Sequence, residues 1–158
     1  MVTQISIQFR AAYAQEGVLV AEHFYRMWRD IGVAEKDIQP DWQKITQAFM
    51  QQARQGLGYQ AFVAEVEGAV VGSASCQLYA GLYPAILSEQ YRKYGYIWGV
   101  YVEPADRKRG IATRLTQMSV DYLKSLGCTR VLLNAAPKGR SVYQNLGFAD
   151  GNTMGLDL

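Results

Sequence analysis

The chain has 158 residues but only one histidine, His23, and two cysteines, Cys76 and Cys128, which stand far apart and outside any Cys-x-x-Cys spacing. That scarcity leaves little material for a zinc site, or for a Cys-His or Ser-His catalytic pair, so no metal is expected. Each cysteine lies in or beside an apolar run, and two reduced thiols are the plainer reading than a disulfide. No apolar run reaches the ~18 residues of a membrane span, and no basic-then-apolar leader is seen, so the default compartment is the cytoplasm and no membrane partner is expected. A net charge of +2 gives no general attraction for nucleic acid. There is no internal repeat and no low-complexity tract. Hydrophobic residues at 49% against charged residues at 19% exclude a disordered chain, and the length suits one domain over residues 1–158.

What is present is concentrated in one stretch, Tyr94 to Arg114, reading YGYIWGVYVEPADRKRGIATR. Ile97, Trp98, Val100, Tyr101 and Val102 form an apolar, β-branched run that Glu103-Pro104 stops, which predicts a buried strand ending at a turn. Three basic residues follow, Arg107, Lys108 and Arg109. Gly110 and Ala112 then open a helix, because Leu115, Met118, Tyr122 and Leu126 recur at helical spacing. A helix that starts on small residues leaves backbone N–H groups uncovered, and its dipole favours an anion at that end. Arg-x-x-Gly-x-Ala is short, and a basic turn before a helix is also the ordinary form of a solvated surface. It is neither a P-loop nor a dinucleotide fingerprint.

The remaining elements are read from periodicity. Gln4 to Phe9 alternates as a half-buried first strand, and a helix with a broad apolar face runs from Glu16 to a stop at Gly32. Asp41 is a candidate N-cap for a second helix through Trp42, Ile45, Ala48 and Phe49 to about Gln55. Gln60 to Val66 and Ala69 to Leu78 flank Glu67-Gly68 as a hairpin. Tyr79 to Gly95 is a long tyrosine-bearing loop, either functional or a tolerated insertion, with a short helix over Ile86 to Tyr91. The helix Ile111 to Leu126, closed by Gly127, leads to a strand Arg130 to Leu133, a crossover that makes two parallel strands. A short helix from Gly139 or Ser141 ends at Leu146-Gly147, and Phe148 with Thr153 to Leu158 is expected to supply closing strands.

The strand, the Val102-Glu103-Pro104 stop, the Arg107-x-x-Gly110-x-Ala112 turn and the later Tyr143-Gln-Asn-Leu-Gly-Phe148 occur in that order. Together they resemble the GNAT acyltransferase superfamily, from about Tyr59 to Phe148. The resemblance implies an α/β fold: a mixed, mostly antiparallel sheet with a splayed central parallel pair and helices on both faces. It implies acetyl-CoA as co-substrate and direct acetyl transfer to a primary amine of a small molecule or peptide. Backbone groups of Val100, Tyr101 and Val102 would take the pantetheine arm. The N–H groups of Lys108, Arg109, Gly110, Ile111, Ala112 and Thr113 would take the diphosphate, with the Arg107 and Arg109 side chains adding charge. Tyr143 would be the general acid, the alternative being one buried face of a short helix. Where the family often has an asparagine, this chain reads Pro137-Lys138-Gly139-Arg140. Asn134 either substitutes for it or only shapes a turn, and Lys138 and Arg140 are alternative phosphate contacts. No carboxylate precedes Glu103 on the strand, and Glu103 itself reads as a turn residue. The base is therefore assigned to water with Tyr96 and Asn134; Glu22 and His23 are candidates for the neighbourhood of the acceptor, a lone helical histidine being more often a packing residue. The acceptor pocket is expected between the first two helices and the Tyr79 to Gly95 loop. A homodimer is a further expectation, and the rival reading is a non-catalytic coenzyme-A-binding or interaction domain.

Overall fold

The structure, a computed structural model, describes residues 5–158, and of Tyr83 and Pro84 only the backbone. Five strands form one sheet in chain order, β1 (Ile7–Ala11), β2 (Gln60–Val66), β3 (Ala69–Leu78), β4 (Tyr94–Val102) and β5 (Arg130–Leu133). All neighbours are antiparallel except β4 and β5. The hairpin joining β2 to β3 turns at Glu67 and Gly68, with φ of 49° and 81°, the two left-handed residues that match strand twist.

Helices α1 (Gly17–Ile31) and α2 (Trp42–Gly56) cover one face, packing Val20, Ala21, Met50 and Ala53 onto Tyr59 and Ala61. The opposite face carries α4 (Ile111–Ser125), whose Ile111 and Leu115 meet Val71, Ala74 and Val102, and whose Leu123 meets Cys76 and Ile97. Two short helices, α3 (Leu82–Ala85) and α5 (Arg140–Asn145), complete the set. The architecture is the mixed, mostly antiparallel sheet with one parallel pair that the sequence implies.

Two irregularities in β4 decide what the fold can do. The parallel pairing runs only from Tyr94↔Arg130 to Ile97↔Leu133, after which β5 ends and β4 continues to Val102 with that edge open. On its other side Ser75 opposes Trp98 but Ser73 opposes Tyr101, so Gly99 and Val100 both face Ala74 in a bulge. The extra residue returns Tyr101 to the same face as Trp98, toward α1.

That face of β3 is polar. Ser73 Oγ lies 2.8 Å from His23 Nδ1, Ser75 Oγ lies 2.9 Å from the Tyr59 hydroxyl, and Gln77 Oε1 accepts from Trp98 Nε1 at 3.0 Å. Ser73, Ser75 and Gln77 thus each have a partner, as burial demands. His23 is fully buried, and among the described residues its Nε2 has no hydrogen bond.

Three local expectations differ from what is found. The first strand begins at Ile7; Gln4 lies outside the described residues. The loop helix is Leu82–Ala85 rather than Ile86 to Tyr91, where the chain instead turns on the Ser88 carbonyl, which accepts from Tyr91 and Arg92 N–H. Residues 149–158 form no strand. Gly155 and Asp157 are poor strand formers, and Met154 and Leu156, 94% and 85% exposed, have nothing to pack on.

Two outcomes test this packing. A Cβ at Gly95 would stand 2.7 Å from the Cδ1 of Leu123, itself fully buried, so Gly95→Ala should cost about 1–3 kcal/mol of stability in a denaturant melt. Burial holds the His23 imidazole below its ordinary pKa. The unfolded chain then binds more protons than the folded one, so stability is full above the ordinary histidine range and falls as pH drops through it. Melting temperature against pH should show that slope, and His23→Gln should flatten it; an equal slope in both proteins rules His23 out as its source.

Candidate active site

The turn after β4 is built by alternating backbone hands. Pro104–Asp106 makes one tight helical turn; Lys108 and Gly110 then both adopt positive φ, 62° and 77°. The first bond into α4 runs from the Arg114 N–H to the Gly110 carbonyl at 3.1 Å, which leaves the N–H groups before it without helical acceptors. Arg107 and Lys108 form a hydrogen-bonded turn that engages the Arg109 N–H, while among the described residues the N–H groups of Lys108 and of residues 110–113 have neither a backbone nor a side-chain acceptor. Left-handed residues alternating with residues of negative φ make a concave row of donors, and α4 adds its positive end. Apart from its own and the adjoining residues, no protein atom lies within 4 Å of where a Cβ on Gly110 would stand; conformation, not room inside the protein, calls for glycine there.

The arginines of the turn have partners of their own. Arg107 donates through Nε to the Val102 carbonyl at 2.8 Å and through a terminal nitrogen to Asp30 at 2.6 Å, with its guanidinium 5.5 Å from the centre of the Tyr101 ring. It ties the turn to α1 and to the end of β4. Arg109 pairs with Asp106 at 2.7 Å, and Arg140 with Asp150. Among the described residues Lys108 has no carboxylate partner and is exposed.

Beyond Ile97 the open edge of β4 presents its backbone to the gap. The Glu103 N–H donates to the Val71 carbonyl of β3 at 2.7 Å. By alternation the N–H and C=O of Tyr101 also face β3, while the Val100 C=O and the Val102 N–H face the gap. Of the three residues read from sequence, Tyr101 therefore offers its ring, not its main chain, and the Val102 carbonyl is taken by Arg107. The gap opens into a cleft of about 1230 Å³, bounded by α1 and α2 on one side and by Asn134 to Tyr143 on the other. Among the described residues, none of the loop over 79–93 lines it. The loop wall expected of the pocket is not seen among the described residues: Tyr91 is 71% exposed, Ile86 75%, and the Tyr79 N–H bonds to the Tyr94 carbonyl, closing the loop at its base. The Tyr83 side chain lies outside the described residues.

Tyr143 faces the cleft from α5, its ring edge-on to Phe148 at 6.0 Å. Burial lifts its phenol above the ordinary value, so the proton stays on. Asn134, at the end of β5, donates through Nδ2 to the Tyr96 hydroxyl at 3.0 Å, spanning the parallel pair just where it parts.

Residues 19–148, most of the chain, match the model of the acetyltransferase (GNAT) family. The chain belongs to the GNAT family. Its members are acetyl-CoA-dependent N-acetyltransferases, and this chain is one of them. It is similar to the glucosamine 6-phosphate N-acetyltransferase of Trypanosoma brucei brucei, with 31% identity over 106 residues, 66% of this chain and 69% of that one. It is also similar to glucosamine 6-phosphate N-acetyltransferase 1 of rice, Oryza sativa subsp. japonica, with 32% identity over 65 residues, 40% of this chain and 39% of the relative. Among solved structures, a GCN5-related N-acetyltransferase from Ralstonia eutropha superposes with a TM-score of 0.82 at 21% identity, covering 97% of this chain and 99% of that one. A predicted acetyltransferase from Clostridium acetobutylicum, solved with acetyl-CoA, gives 0.78 at 24% identity over 97% and 96%.

Several features of this GNAT chain escape sequence reading. Glu103, read as a turn residue, accepts from Arg26 and from the Tyr101 hydroxyl at 3.4 Å, with His23 Nε2 at 3.6 Å, so it anchors α1 to the end of β4. Phe24, Trp28, Phe49 and Trp98 line the cleft together. Their spacing within each helix signals an apolar face, but nothing in the order of residues says that this part of the face is left uncovered.

Proposed function

We propose that this acetyltransferase holds the diphosphate of acetyl-CoA on the amides of residues 108–113 and acetylates a primary amine directly, without a covalent enzyme intermediate. The observation that carries the reading is that row of donors, unpaired but for the Arg109 N–H, at the mouth of a parted strand pair. Lys108, free of any carboxylate among the described residues, adds the charge that Arg107 and Arg109 direct to Asp30 and Asp106. The Val100 carbonyl and the Val102 N–H take the amide-bearing arm along the gap. When bound, acetyl-CoA supplies an acyl group already activated as a thioester, so the residues need mainly to hold the reactants in line.

The amine nitrogen bonds to the acyl carbon, the carbon–sulfur bond breaks, the departing sulfur takes its proton from the Tyr143 hydroxyl, and the proton the nitrogen sheds as the amide forms returns through water to the Tyr143 oxygen. Burial keeps that phenol neutral and able to donate. The amine must arrive uncharged. An apolar cleft disfavours the ammonium form, and the proton leaves to water beside the Tyr96 and Asn134 pair. The carboxylates lining the cleft among the described residues are engaged, Asp30 with Arg107 and Asp106 with Arg109, which is the observation that favours the rival reading of coenzyme binding without turnover. We place the protein in the cytoplasm because both cysteines are free, in keeping with a reducing compartment.

Acetyl-CoA at ~100 times its dissociation constant should add about 2.7 kcal/mol to the unfolding free energy, and release of free thiol with added amine should follow. Binding without thiol release on any amine establishes the rival. Gly110→Val forces a β-branched residue into positive φ and should weaken acetyl-CoA binding about tenfold by calorimetry; unchanged affinity would remove the cradle. Tyr143→Phe should lower kcat by ~10²–10⁴ while leaving acetyl-CoA affinity intact. Because Tyr143 works in its protonated form and its pKa is raised, the wild-type kcat should hold as pH enters the ordinary phenol range and fall only above it.

A further inference from the structure

The side of the cleft formed by α1 and α2 is a wall of rings. Phe24 meets Trp98 edge-on with centroids 4.9 Å apart and meets Trp28 at 6.1 Å; Phe49 meets Trp98 at 5.8 Å. Ile45 extends the row along α2. Trp28, Ile45 and Phe49 keep 42%, 48% and 45% of their surface exposed, though Met50 and Ala53 on the same turns of α2 are packed into the core. The bare apolar surface therefore faces the cleft.

Polar groups on that wall are already engaged. The Thr46 hydroxyl donates to the Trp42 carbonyl at 2.7 Å, and Asp30 is paired with Arg107. Among the described residues lining the cleft, the basic side chains are Arg107, Lys108 and Lys138, at the turn and beyond β5, and none stands on α1 or α2. Trp98 is the first residue past the last β4–β5 pair, beside the Gly99–Val100 bulge. Four strand residues, roughly 13 Å, separate it from Val102 and the amide row. The ring wall thus flanks the far end of the channel, where the thioester of a coenzyme anchored at residues 108–113 would lie.

We propose that the acceptor is a primary amine carried on an aromatic or branched apolar body, and not a sugar phosphate. The inference rests on the acetyltransferase reading above and goes beyond it in naming the acceptor. A phosphate dianion against Trp28, Ile45 and Phe49 would be desolvated with no cation to meet it, at severe cost. An apolar body buries itself on the same surface at a gain. Contact with rings and a branched side chain also lowers the local polarity, which helps the ammonium shed its proton where no carboxylate is free to take it.

The test is thiol release at saturating acetyl-CoA with 2-phenylethylamine, 3-methylbutylamine, spermidine and glucosamine 6-phosphate, alongside calorimetric binding of acetyl-CoA. The kcat/KM for 2-phenylethylamine should exceed that for glucosamine 6-phosphate by ~100-fold. Phe49→Ala, at a half-exposed position that tolerates truncation, should lower it about tenfold through KM and leave acetyl-CoA affinity as it was. Glucosamine 6-phosphate or spermidine turned over as well as the apolar amines overturns the acceptor class and leaves the acetyltransferase reading standing. Coenzyme bound with no apolar amine acetylated, or Phe49→Ala without effect on the apolar amines, also overturns it. Failure to bind acetyl-CoA at all sinks the underlying reading instead.

Discussion

The structure depends on an interruption in backbone hydrogen bonding. A sheet interior normally leaves no main-chain group unpaired, yet β4 runs on from Trp98 to Val102 after β5 has ended at Leu133. What keeps that open edge in place is packing on both of its faces: Tyr101 and Trp98 against α1, Val102 against Ile111 and Leu115 of α4. The unpaired groups face a cleft, where a ligand rich in amides can satisfy them. Removing the gap by extending β5 would complete the sheet and close the channel.

The bulge at Gly99–Val100 is the second half of the same device. It shifts the side-chain alternation by one, so that Trp98 and Tyr101 share the α1 face while Ile97 and Val102 share the α4 face. Tyr101 can then lie 5.0 Å from the His23 ring and hold Arg107 over its face, which fixes the turn against α1. Trp98 becomes the meeting point of Phe24 and Phe49. One inserted residue thereby couples the phosphate end of the site to the acceptor end.

Much of this was legible in the sequence because its signals are local. The Glu67-Gly68 hairpin, the Gly32 stop after α1, the Arg130–Leu133 strand and the Pro104 break all depend on residues a few positions apart, and all are found as read. The strands expected in the tail were not, since alternation at Met154 and Leu156 specifies a strand only if an edge is there to receive it. The partners of Arg107 and Glu103 were not legible either. Those partners, Asp30 and Arg26, lie 77 positions away, and no spacing rule reaches that far.

By itself, then, the order of residues determined the turn: Pro104 to end the strand, Gly110 to take the left-handed conformation, small residues to leave the helix start bare. Backbone dihedrals and steric bulk act within a few bonds, so those features are written where they occur. Only the tertiary structure decided where β5 lets go of β4, which face Tyr101 takes, and that Trp28, Ile45 and Phe49 look into a cleft instead of a core. Those outcomes come from competition among distant surfaces for burial, and that competition is settled by the whole packed chain.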